Sequence, residues 1–129
     1  MNVLTRTTAF VTAGALLAAP AALLIASPAQ ADTQRSGACG QGRYEFSVDR
    51  EDRGFELSAD LDFVEPGSSW KVVLRHEGKT ILSRTVRADA EGDLDVEAYR
   101  QNTKGKDTFA FRATRVGTST SCGAKITVS

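Results

Sequence analysis

One histidine, two cysteines and a set of carboxylates are what this 129-residue chain offers to catalysis or metal binding. His76 has no second histidine to complete a zinc set or a nucleophile's base, and no free thiol is expected beside it. It reads as a histidine at the end of a strand. Asp89, Glu91 and Asp93, with Asp95 after them, alternate around Gly92. Oxygen ligands at that spacing could hold calcium, although the EF-hand order is not met and Asp-x-x-Gly is a common connecting turn. Asp60/Asp62 and Asp95/Glu97 are carboxylate pairs of the kind a glycosidase needs. Here they alternate with apolar residues, the pattern of a solvated strand face rather than a cleft. No nucleophile elbow, phosphate-cradling glycine loop or zinc motif is present. The expectation is no enzyme, no cofactor and no metal, with Asp89, Glu91 and Asp93 as the calcium candidates.

The elements that must position these residues begin after an export segment. Arg6 is the only charge in residues 1–31, and residues 9–26 form an uncharged, Ala- and Leu-rich run. Pro28 and then Ala29-Gln30-Ala31 follow, a signal-peptidase site. Residues 1–31 are therefore expected to be a cleaved signal peptide and 32–129 a single exported domain, with no membrane attachment after cleavage. Ser36-Gly37-Ala38-Cys39 ends like a lipobox but has Ser36 where an aliphatic residue is required. Cys39 and Cys122, an even pair in an exported chain, are expected to form a disulfide. They lack the Cys-x-x-Cys spacing of a redox-active pair.

Residues 32–129 alternate with period two, the signature of half-buried strands. Tyr44, Phe46 and Val48 begin the series. Phe55, Leu57, Ala59, Leu61 and Phe63 make the second strand, and Trp70, Val72 and Leu74 the third. A fourth spans residues 80–86, its facing ambiguous because Ile81 and Leu82 are adjacent. Leu94, Val96 and Ala98 make the fifth, Phe109, Phe111 and Ala113 the sixth, and Cys122, Ala124, Ile126 and Val128 the seventh. Gly-, Pro- and Asp-containing turns separate them. Seven short strands without an amphipathic helix indicate an all-β, antiparallel sandwich. The expected core is Phe46, Leu57, Leu61, Trp70, Val72, Leu74, Val96, Phe109, Phe111 and Ile126.

Three stretches resemble immunoglobulin-like and fibronectin-type sandwiches. Trp70 opens the third strand, where such domains often bury a tryptophan. Residues 107–113, Asp-Thr-Phe-Ala-Phe-Arg-Ala, look like the sixth-strand Asp-x-Ala-x-Tyr-x-Cys run. Residues 88–96 are similar to the turn and strand of bacterial Ig-like repeats. The chain departs from the family in having no second-to-sixth-strand disulfide and no corner tyrosine. As a whole it resembles the small secreted Ig-like proteins of high-GC Gram-positive bacteria. Chromophore-carrying proteins of the neocarzinostatin type and secreted subtilisin inhibitors are similar in size, but both use four cysteines.

The resemblance implies a topology in which strands one, two and five share one sheet, and strands three, six and seven the other. Outward positions of the first sheet then read Arg43, Glu45, Glu56, Ser58, Asp60, Asp62, Asp93, Asp95 and Glu97. Those of the second are Lys71, Val73, Arg75, Ala110, Arg112 and Lys125, with Arg84 adjoining. Although 16 Lys and Arg balance 16 Asp and Glu overall, one face would be acidic and the other basic. The balance argues against a nucleic-acid binder. The expectation is a secreted, monomeric, non-enzymatic binding module. Its basic face, Lys71, Arg75, Arg84, Arg112 and Lys125, would dock an anionic cell-wall polymer or an acidic protein. A protease inhibitor acting through loop 64–69 or 101–106, and a small-molecule carrier, are the alternatives.

Overall fold

The computed structural model describes residues 33–129; the expected signal peptide and its cleavage site lie outside the described residues. Eight strands form two antiparallel four-stranded sheets, with no helix among the described residues. They are β1 (Gln34–Cys39), β2 (Gly42–Glu51), β3 (Gly54–Asp62), β4 (Ser69–His76), β5 (Lys79–Arg87), β6 (Leu94–Gln101), β7 (Asp107–Arg115) and β8 (Ser121–Val128). One sheet has the order β1-β2-β3-β6, the other β5-β4-β7-β8. The expected grouping of strands into sheets holds, but there are eight strands, not seven.

The additional strand is β1, which sequence periodicity does not reveal. Its inward positions are Arg35, Gly37 and Cys39, so only the last resembles a core residue. Backbone pairing along β2, from Gln34↔Ser47 to Cys39↔Gly42, supplies what side-chain burial does not. Gly37 has a specific task in it. A Cβ there would lie 2.9 Å from the Tyr44 ring, and Tyr44 leans inward over the vacant position to meet Phe111 at 5.4 Å between centroids.

All ten expected core residues are buried, and Val48, Phe55, Ala59, Val64 and Ala113 join them. Aromatic contacts join the layers: Phe46 stacks on Phe111 at 5.5 Å and Phe55 meets Phe109 edge-on at 5.2 Å. Such pairs add about 0.5–1.5 kcal/mol beyond their area. Trp70 is buried but donates its indole N–H to Ser68 Oγ at 2.9 Å, and Ser68 in turn donates to the Glu65 carbonyl at 2.6 Å. A buried polar group is thereby satisfied by the loop preceding its own strand. The loop before β6 is equally tied. Val64 N–H donates to the Gly92 carbonyl, and Gly92, at φ 82°, passes so close that a Cβ would lie 2.2 Å from the Val64 oxygen.

The disulfide between Cys39 and Cys122 is present, with Cα atoms 5.1 Å apart. It joins β1 of one sheet to β8 of the other and closes 83 residues of sequence. Closing a loop of this size restricts the unfolded chain. Replacing both cysteines, Cys39→Ser with Cys122→Ser, is expected to lower stability by about 2–5 kcal/mol in urea unfolding. An unchanged midpoint would mean the bond contributes nothing to stability.

Candidate functional site

The outer face of the β5-β4-β7-β8 sheet is built by register. Arg75, Ala110 and Lys125 stand side by side on β4, β7 and β8; Val73, Arg112 and Gly123 form the next row. Lys71 extends the face on β4 beside Thr114 and Thr85. Small residues between long cations leave a shallow trough of about 320 Å³ lined by Arg75, Ala110, Arg112, Gly123 and Lys125. The only carboxylate on the four strands is Asp107, which is buried on the inner face. Among the described residues Lys71, Arg75 and Lys125 have no ion-pair partner, and Arg112 donates only to Ser121 Oγ at 3.1 Å.

Arg84 does not belong to this group. The register of β5 against β4 shifts between Leu74 and Arg75, pairing Leu74 with Leu82 but Arg75 with Thr80. Ile81 is the extra residue of a bulge. Beyond it, Leu82, Arg84 and Val86 pair with Leu74, Val72 and Trp70, the inward residues of β4. Arg84 is exposed because β5 is an edge strand, but on the side opposite Lys71 and Arg75.

The other sheet's outer face has the opposite sign. Glu45, Asp60 and Asp95 stand in one row across β2, β3 and β6. Like charges placed opposite one another are destabilising. The Asp60 carboxyl is raised above its ordinary value, by partial burial first and then by Asp95, Asp62, Glu45 and Glu97. Asp62 is raised too, by burial and by Asp93 beside it. Two of the calcium candidates, Asp89 and Asp93, make contacts within the protein. Asp89 Oδ1 accepts the backbone N–H groups of Glu91 and Asp93, each at 2.9 Å, holding the turn before β6, while Asp93 sits against Asp62.

A second constellation was not anticipated. His76 is buried and its Nε2 lies 2.8 Å from Asp107 Oδ1, with Asp107 1% exposed. The imidazole stacks on Phe109 at 4.4 Å. Thr103, in the loop before β7, donates its hydroxyl to the same Oδ1. Burial pushes the Asp107 carboxyl up, but the Thr103 and His76 hydrogen bonds and the His76 ring outweigh it and leave the carboxyl below its ordinary value. Glu77, the next residue after His76, exchanges hydrogen bonds with Thr108: its N–H donates to the Thr108 carbonyl, and its Oε2 accepts Thr108 N–H at 2.6 Å. His76 and Glu77 open onto a basin of about 680 Å³ rimmed by Lys79, Tyr99, Arg100, Thr103, Lys104 and Lys106. His76 thus has partners, although neither is a histidine or a thiol. The readable signal was parity. Asp107 shares the inward positions of Phe109, Phe111 and Ala113, as His76 shares those of Trp70, Val72 and Leu74.

Fold and site define a two-sheet, disulfide-stapled β-sandwich with oppositely charged outer faces. No known protein family matches the chain, and no curated protein shows a significant match to it.

The raised Asp60 gives a pH prediction with a definite sign. A carboxyl whose pKa is higher folded than unfolded weakens the fold once the unfolded chain has ionised, so its penalty is full at neutral pH and absent in acid. Asp60→Asn is expected to raise the thermal midpoint near neutral pH, with the gain fading as pH falls toward about 4 and absent below it. A gain independent of pH would rule out charge repulsion as its source.

Proposed function

We propose that the protein is a secreted, non-enzymatic Ig-like binding module. The outer face of its β5-β4-β7-β8 sheet docks an extended polyanion of the cell wall. The observation that carries this reading is a sheet face with Lys71, Arg75, Arg112 and Lys125 and no carboxylate. Four cations held on a rigid sheet, without acids to neutralise them, attract an anionic partner at long range and fix its register on contact. Arginine at two of the four positions suits bidentate contact with phosphate or carboxylate groups. The trough favours a slender polymer over a broad protein surface. Neighbouring strands are about 4.8 Å apart, so Arg75 and Lys125, separated by β7, would straddle a single chain lying over Ala110. The disulfide and the Ala-rich leader of the sequence support an extracellular setting.

The test uses long-chain polyphosphate and poly-glutamate as probes. Binding is expected to weaken as salt rises, since surface charges are screened. The double variant Arg75→Glu with Arg112→Glu should lose about tenfold or more in affinity, while Arg84→Glu, on the opposite side of its strand, should change little. Equal losses from both variants would point to net charge alone. No binding by the wild-type protein at low salt would sink the proposal.

A further inference from the structure

The cluster around His76 carries an inference independent of the basic face. His76, Glu77 and Asp107 each bring one ligand-type atom to within 4.8 Å of the others, and this is the one such group of three among the described residues. Proximity of carboxylates alone would mean little. The second observation lies in Asp107: both of its hydrogen bonds, from His76 and Thr103, fall on Oδ1. Oδ2 is fully buried with no partner, the only buried side-chain polar atom among the described residues in that state. An ionised carboxylate oxygen held out of water without a donor is costly, and a cation is the partner that it lacks. Glu77 adds a further indication that this corner is shaped for more than turning the chain. It occupies the first position of a two-residue hairpin turn at φ 52°, ahead of Gly78 at φ 82°. Asn, Asp or Gly is the usual residue there.

We propose that His76, Glu77 and Asp107 form a binding site for a zinc-class divalent cation. One imidazole and two carboxylates are a mixed nitrogen and oxygen set. It suits a borderline transition-metal ion better than calcium or magnesium, which favour oxygen alone. Two ligands on a tetrahedral zinc with bonds of about 2.0–2.1 Å lie about 3.3 Å apart, so the ion would replace the present 2.8 Å hydrogen bond between His76 Nε2 and Asp107 Oδ1 and draw in the Glu77 carboxylate, which lies within 4.8 Å. Three protein ligands leave a fourth position. His76 and Glu77 both line the basin, so water or a small anion reaches that position from its side. Phe109, stacked on the imidazole, fixes the ring.

His76 is the only histidine in the chain, which makes the test unusually direct. The untagged domain is stripped with chelator and titrated with zinc alone, following heat, thermal midpoint and the imidazole nitrogen resonances. Saturable binding of one ion per chain is expected, with a rising midpoint as zinc increases and a shift of one His76 nitrogen. Glu77→Gln keeps an oxygen for the Thr108 N–H and leaves the His76–Asp107 pair in place. It should weaken zinc by about tenfold or more without lowering the midpoint of the metal-free protein. Calcium in place of zinc should leave the His76 nitrogens unshifted. Absence of saturable binding at millimolar zinc would overturn the proposal. So would binding that leaves the His76 resonances unmoved, or zinc affinity unchanged in Glu77→Gln, since either would put the ion elsewhere.

Discussion

Phe111 against Tyr44 and Phe46, and Phe109 against Phe55, hold the two sheets face to face. Once they meet there, every strand has one side committed to the interior, and the period-two alternation leaves all remaining chemistry to the other side. The departures from that rule are informative. His76 and Asp107 occupy inward positions at the same end of β4 and β7, two residues from where aromatics would continue the core. They are accommodated because each answers the other, with Thr103 covering one oxygen from the loop above.

The charge pattern follows from the same division. With the interior apolar, the ionisable groups of each strand collect on its outer side, where cross-strand register turns scattered residues into rows. Glu45, Asp60 and Asp95 are far apart in sequence yet adjacent on the sheet, as are Arg75 and Lys125 with only Ala110 between them. Near-zero net charge therefore conceals two surfaces of opposite sign. Grouping like charges in this way is unfavourable, and it adds to burial, the first cause, in raising the Asp60 and Asp62 carboxyls.

Most of the fold was legible because most strands alternate strongly. Phe55 to Leu61 and Trp70 to Leu74 announce their inner faces without ambiguity, while the grouping of strands into sheets came from the topology that the resemblance to Ig-like sandwiches implies. β1 was not legible because it is held by backbone pairing and one disulfide, with a glycine where a core side chain would normally stand. Arg84 was misplaced for a local reason. The bulge at Ile81 inverts parity within a single strand, and two adjacent apolar residues are the only trace it leaves in sequence. The cationic row needed nothing but parity and strand order. The His76 cluster needed a pairing between strands 31 residues apart, together with a threonine from an irregular loop, and no spacing rule anticipates that combination.

The position of the staple has a mechanical consequence. Cys39 ends β1 and Cys122 lies near the start of β8, so a pull applied at residues 33 and 129 travels along β1, across the sulfur–sulfur bond and out along β8. Strands β2 to β7 lie inside the covalently closed loop and carry none of that load in series. Under tension the two outermost strands can peel from their neighbours, β8 taking Lys125 with it, while the aromatic pairs on β2, β3 and β7 and the acidic row on β2, β3 and β6 stay assembled. The bond therefore divides the two faces mechanically: Glu45, Asp60 and Asp95 all lie within the closed loop, whereas the basic face has Lys71, Arg75 and Arg112 inside it and Lys125 on the strand that bears the load.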